Sequence, residues 1–180
     1  MIITAGIYKG RKVFTPDDKT VRPTLSKMRE GVFNTLFSMM DFEGKSFLDA
    51  FAGSGIMGLE ALSRGFESIL ALEKNPKTAK VLKENYTSIK LPSDLIIGDS
   101  LKLLAKLDRK FDVIYLDPPY FSGVYEDCLN KISKYSLLKD GGIVILEHVE
   151  EICYSKSGFE MIKQKKYSGK TVTFLQVIRK

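Results

Sequence analysis

Five short apolar runs alternate with helix-patterned stretches, and that alternation leaves the chain few architectures. "KSFLDAFAGSG" enters a glycine turn, and "SILALE", "DLIIGD", "FDVIYLD" and "GGIVILE" follow at intervals. Between them "IMGLEALSRG", "PKTAKVLKENYTSI", "SLKLLAKL" and "VYEDCLNKISKYSLL" read as helices. Strands that are continuously apolar are buried on both faces, and strands joined through helices run parallel. The expected core is therefore a parallel sheet covered by helices on both sides. Ahead of it, Met28, Val32, Leu36 and Met39 repeat at helical spacing in residues 24–40, with Thr24 or Ser26 available as a cap. Behind it, "FEMIKQKKYSGKTVTFLQVIRK" places two β-rich runs around "SGK", the pattern of an antiparallel hairpin. The first fifteen residues, with "YKGRK" between short apolar runs, predict another hairpin outside the sheet. With 180 residues and 44% hydrophobic content the expectation is one domain over 1–180, of which 1–45 form a hairpin and helix extension and 46–180 the core.

The charge distribution narrows the partners. Net charge is +6, with eight basic and five acidic residues in 1–45, thirteen and fifteen in 46–150, and seven and two in 151–180. Basic ends around a slightly acidic middle fit a core that binds something uncharged or cationic, flanked by surfaces that meet a polyanion such as nucleic acid. Scattered lysines also serve solubility, and composition alone does not choose. No apolar run approaches the length of a membrane span, and the N-terminus lacks the pattern of a signal peptide, so a cytoplasmic location is expected. Cys128 and Cys153 have no zinc-type spacing and are too few for a disulfide framework; His148, the one histidine, reads as an ordinary strand-end residue. No metal site is expected, and nothing demands more than a monomer.

Open parallel sheets bind ligands beyond the carboxyl ends of their strands. There the first strand runs into "DAFAGSGIMG", where Gly53, Gly55 and Gly58 satisfy G-x-G-x-x-G, and Glu73 ends the next strand at the distance of a ribose-binding acid. Asp49, immediately before the loop, decides between nucleotides. A carboxylate there would repel a pyrophosphate but would pair with the ammonium of a methionine moiety, which makes S-adenosylmethionine the expected cofactor. Asp99, ending "IIGD", stands where it could accept from an adenine amino group, cap the helix "SLKLLAKL", or do both.

"DPPY", residues 117 to 120, ends the fourth apolar run with two prolines that cannot continue a ladder. It is either a strand-ending turn with a surface acid or a site. If the fourth strand neighbours the first, Asp117, Pro118, Pro119 and Tyr120 face the donated methyl group. The prolines remove donors, leaving the Asp117 carboxylate and the Pro118 carbonyl as acceptors for the two hydrogens of an NH2 group, with Tyr120 free to stack on the ring that carries it. Such bonding would free the amine lone pair for in-line attack on a sulfonium methyl.

The blocks "VRPTLSKMREGVFN", "LDAFAGSGIMGLEALSRG" and "VIYLDPPY", in this order, resemble the RsmD family of class I methyltransferases, and the resemblance covers nearly the whole chain. It implies a Rossmann-like sheet of seven strands ordered 3-2-1-4-5-7-6 with the seventh antiparallel. It also implies methylation of the N2 amino group of one guanine in bacterial small-subunit (16S) ribosomal RNA, on an assembled or partly assembled subunit. Asp49, Gly53, Gly55, Glu73 and Asp99 should line the cofactor, with Phe51 and Ser100 beside them, and Asp117 to Tyr120 should hold the base. Residues 8–29 hold seven basic residues against two acids, and Lys9, Arg11, Lys12, Arg22, Lys27 and Arg29 are the expected phosphate contacts. Arg29 could instead pair internally with Glu30 or a core acid. Three other functions compete. A DNA adenine or cytosine amino-methyltransferase usually carries a large target-recognition insert, for which there is no room. A methyltransferase acting on protein glutamine typically begins the related motif with Asn, where this chain has Asp117. A ribosome-assembly factor without catalysis would have no need of Asp49, Glu73 and Asp117 together.

Overall fold

The computed structural model describes residues 1–15, 23–89, 92–119, 124–149 and 151–178, with only the backbone described for 23–25. Strands β1 (Ser46–Asp49), β2 (Ser68–Glu73), β3 (Ser93–Ile97), β4 (Phe111–Leu116) and β5 (Leu138–His148) pair in parallel. β6 (Phe159–Tyr167) and β7 (Lys170–Val177) form the expected hairpin, and β7 joins β5 antiparallel. The order across the sheet is β3-β2-β1-β4-β5-β7-β6, so that β1 lies between β2 and β4 and strand order reverses beside it.

Two apolar layers explain the continuous runs. On one face α1 (Pro23–Phe37), α2 (Ile56–Ser63) and α3 (Pro76–Thr87) bury Phe33, Leu59 and Leu82 against Phe47, Val113, Ile145 and Phe174. On the other, α4 (Ser100–Leu104) and α5 (Tyr125–Lys134) cover Leu48, Leu70, Ile114 and Leu146. β4 is buried at every position, as its unbroken apolar sequence requires. Asn75 caps α3 by accepting from the amides of Lys77 and Thr78, with Pro76 in the first helical position where its missing N–H costs nothing. In α1, Met28, Val32 and Leu36 are buried as their spacing predicts; Met39 lies past the helix end and packs half-buried on the same cluster. No helix among the described residues is long and apolar enough to cross a membrane.

The N-terminal segment folds back through a single antiparallel bridge, Ile2 with Lys12, supported by the Gly10 amide on the Ile3 carbonyl. Much of its remaining backbone bonds to side chains of the helical layer. The Thr4 and Ala5 amides donate to Glu60, the Tyr8 amide to Ser63 Oγ, and the Phe14 amide to Asn85 Oδ1.

Glu60 is fully buried and is the centre of this attachment. It accepts from Thr4, Ala5, Arg29 Nε at 3.1 Å and Arg64 Nε at 2.8 Å. Burial would raise its carboxyl pKa, but the Thr4 and Arg64 hydrogen bonds, with the Arg29 charge, outweigh that and hold it below the ordinary range. Arg29 completes the link by donating to the Ile2 carbonyl at 2.7 Å. Removing one partner of a buried pair strands the other, which typically costs about 3–5 kcal/mol. Glu60→Ala is therefore expected to lower stability by about that much, and Glu60→Gln by less. Urea unfolding followed by circular dichroism measures it, and an Ala variant with the wild-type midpoint would show that the cluster contributes no net stability.

Candidate active site

Acids stand at the carboxyl ends of four adjacent strands: Glu73 closes β2, Asp49 closes β1, Asp117 follows β4, and Glu147 is the penultimate residue of β5. A cavity of about 510 Å³ opens there. It gathers eight of the residues singled out from the sequence: Phe51, Gly53, Glu73, Asp99, Ser100, Asp117, Pro118 and Pro119, together with Lys170 from β7. Asp49 lies beneath, only 1% exposed. Tyr120 lies outside the described residues.

The glycine loop is shaped by backbone demands. Gly53 and Gly55 have φ of 54° and 80°, a left-handed conformation that side chains disfavour. At Gly55, the N-cap of α2, a Cβ would also lie 2.6 Å from the Tyr86 ring, whereas at Gly53 the space is open. Glu73 braces this loop: its two carboxylate oxygens accept from the Gly53 amide at 2.8 Å and the Asn75 amide at 2.7 Å. Each oxygen keeps a second lone pair, so the acid can still accept from ligand hydroxyls. Asp99 caps α4 through the Lys102 amide and also lines the cavity, so the cap does not exclude a contact with a ligand there. The Lys74 ammonium, hydrogen-bonded to it at 3.0 Å, holds its carboxyl below the usual range. Ser100 Oγ donates to the Ala50 carbonyl and ties α4 to the start of the loop.

The floor of the cavity is electrostatically unusual. One oxygen of Asp49, Oδ1, has no hydrogen-bond partner. Burial first, and then the nearby Asp117 charge, push its carboxyl up to about 8, against a hydrogen bond from the Phe51 amide. A buried acid with an unsatisfied oxygen is suited to receive a cationic donor. Asp117 is pushed up to about 7 by burial and by Glu147, and the Lys170 ammonium 3.5 Å away opposes the shift. Lys170 also donates to Glu147, which accepts from the Tyr115 hydroxyl as well. Sequence reasoning missed Glu147, Lys170 and Tyr115. Glu147 carried a signal, since it ends "GGIVILE" as Glu73 ends "SILALE". Lys170 carried none, because only the hairpin register brings it here.

The expected phosphate contacts divide. Lys9, Arg11, Lys12 and Lys27 are exposed, although Arg11 donates to the Ser88 carbonyl at 2.6 Å. Arg22 lies outside the described residues. Arg29 must be corrected: it is 3% exposed and committed to Glu60 and the Ile2 carbonyl, so it is a core ion pair and not a contact for phosphate.

Residues 1–176 match the family described as conserved hypothetical protein 95. Ribosomal RNA small subunit methyltransferase D of Haemophilus influenzae is 33% identical over 150 residues, covering 81% of this chain and 77% of that protein. Its namesake from Escherichia coli strain K12 is 30% identical over 146 residues, covering 81% and 73%. Among solved structures, the Escherichia coli protein yhhF superposes with a TM-score of 0.87 at 26% identity, over 98% of this chain and 97% of that one. Since the family match spans almost every residue, and solved class I methyltransferases superpose over nearly the whole chain, this protein belongs to the RsmD family and has the class I methyltransferase fold.

Proposed function

We propose that the protein transfers a methyl group from S-adenosylmethionine to the exocyclic N2 amino group of a guanine in 16S ribosomal RNA. The observation that carries this reading is the meeting, in one cavity, of a glycine loop braced by Glu73 with the acceptor pair of Asp117 and Pro118. The relatives named ribosomal RNA small subunit methyltransferase D supply the substrate class.

The residues present fit the cofactor. The unsatisfied oxygen of buried Asp49 suits the ammonium, Glu73 suits ribose hydroxyls, and Asp99 suits the adenine amino group, with Phe51, Gly53, Gly55 and Ser100 around them. When bound, S-adenosylmethionine supplies an electrophilic methyl on a sulfonium. On the other side, the Asp117 carboxylate and the Pro118 carbonyl accept from the target NH2, draw its nitrogen out of conjugation with the ring, and stabilise the positive charge that develops there. The proton leaves after transfer, so no strong general base is needed. Tyr120 stacks on the base, and exposed Lys9, Arg11, Lys12 and Lys27, with Arg22, meet phosphates.

Asp117→Ala should lower single-turnover methylation on the order of 100-fold while leaving cofactor affinity intact. Asp117→Asn should fall between, since its amide oxygen still accepts but carries no charge. An Ala variant as fast as wild type would reduce "DPPY" to a turn.

Asp49→Ala and Glu73→Ala should each weaken S-adenosylmethionine binding by calorimetry. Because Asp49 must ionise to pair with the ammonium, wild-type affinity should rise as pH increases from about 6 to about 8, and Asp49→Asn should flatten that rise. Unchanged affinity in both Ala variants would overturn the cofactor assignment.

Combined Lys9→Ala, Lys12→Ala and Lys27→Ala should weaken RNA association, reduce its salt dependence and spare cofactor binding. Wild-type RNA affinity at several salt concentrations would remove this surface from the interface.

A further inference from the structure

At the floor of the cavity, Asp117 shares its environment with groups from several elements. Glu147 faces it from β5, Lys170 from β7, Tyr115 from β4 and Asp49 from β1, while Glu73, Lys74 and Asp99 line the same cavity. Lys170 is the cation among the described residues that touches the floor acids: its Nζ lies 3.5 Å from Asp117 Oδ1 and donates to Glu147. Its side chain is only 13% exposed, and it lines the same cavity as Asp117 and Pro118. Glu147 is anchored in turn by the Tyr115 hydroxyl, so the ammonium is held at a fixed place by a buried partner.

We propose that Lys170, held by Glu147, is a positioning residue that keeps the Asp117 carboxylate ionised and aimed into the cavity. The proposal rests on the reading of Asp117 as the acceptor for the target amine. Its physical basis is the crowding of acids. Burial and Glu147 both favour the protonated form of Asp117, and a protonated carboxyl keeps an acceptor oxygen but loses the charge that would stabilise a nitrogen becoming positive. Lys170 acts in the opposite sense. The same contact fixes one oxygen of Asp117 and leaves the other for the incoming amine.

The arrangement predicts opposite effects for its two members. In protein carrying carboxyl-13C aspartate, with Asp117 assigned by comparison with Asp117→Asn, NMR titration of the unliganded protein reads the Asp117 midpoint directly. Lys170→Met should raise that midpoint by about one pH unit or more, and Glu147→Gln should lower it. The double variant, which removes one charge of each sign and leaves no stranded partner, should return it toward wild type. The acid limb of single-turnover methylation should move with the midpoint in each variant, so that Lys170→Met is slowed most at low pH and partly recovers as pH rises. A midpoint that stays put in Lys170→Met overturns the proposal, and so does an acid limb that ignores a midpoint that has moved. Wild-type protein that methylates no guanine amine would overturn the proposed function instead, and the titration would still decide whether Lys170 governs Asp117.

Discussion

Neighbouring strands of a sheet lie about 4.8 Å apart, and four successive ones here end in carboxylates. That spacing is the constraint around which the rest is arranged. Four ionised acids so close, with Asp49 and Glu147 buried and Glu73 and Asp117 half-buried, would repel one another, and the protein answers differently at each. Glu73 is satisfied by backbone amides, Glu147 by Lys170 and Tyr115, and Asp117 by Lys170, while Asp49 is left with an unsatisfied oxygen and a carboxyl pKa near 8. An acid whose folded pKa is raised stabilises the fold most below its unfolded value of 3.8 and withdraws that contribution as pH climbs toward 8. At neutral pH Asp49 in the unliganded site is therefore held largely protonated, and a cationic ligand would favour its ionised form.

The central strands were legible because burial on both faces leaves no alternation for a sequence to hide. "SILALE" became β2 residue for residue. β5 was less so: it begins at Leu138, before "GGIVILE", and its register against β4 jumps from the Leu138 partner to Ile143. The two glycines that open "GGIVILE" lie inside that irregularity, with Gly141 at φ 73°. A local pattern does not distinguish a bulge from a turn, since both use glycine for the same backbone freedom.

Among the site residues, acids at strand ends were readable because an apolar run fixes where its strand stops. Arg29 was misread, although its position held a clue. Arg29, Phe33 and Leu36 are spaced three and four residues apart, so the arginine lies on the buried stripe of α1 and not opposite it. Its partner, Glu60, comes 31 residues later and on another helix, which is why the clue was not decisive. Lys170 shows the stricter limit: a lysine beside a hairpin turn has no local mark of a site, and its place follows from the pairing of β7 with β5.

The N-terminal segment has a history built into its hydrogen bonds. Its amides and carbonyls are held by Glu60, Ser63 and Asn85, partners 55 to 71 residues further along the chain. During synthesis it leaves the ribosome before these partners, yet it can take up this conformation only once α2 and most of α3 have been made. Asn85 also donates to the Ser54 carbonyl in the glycine loop, so one side chain ties both segments together. The part of the molecule proposed to meet ribosomal RNA thus depends for its conformation on residues that follow it in the chain.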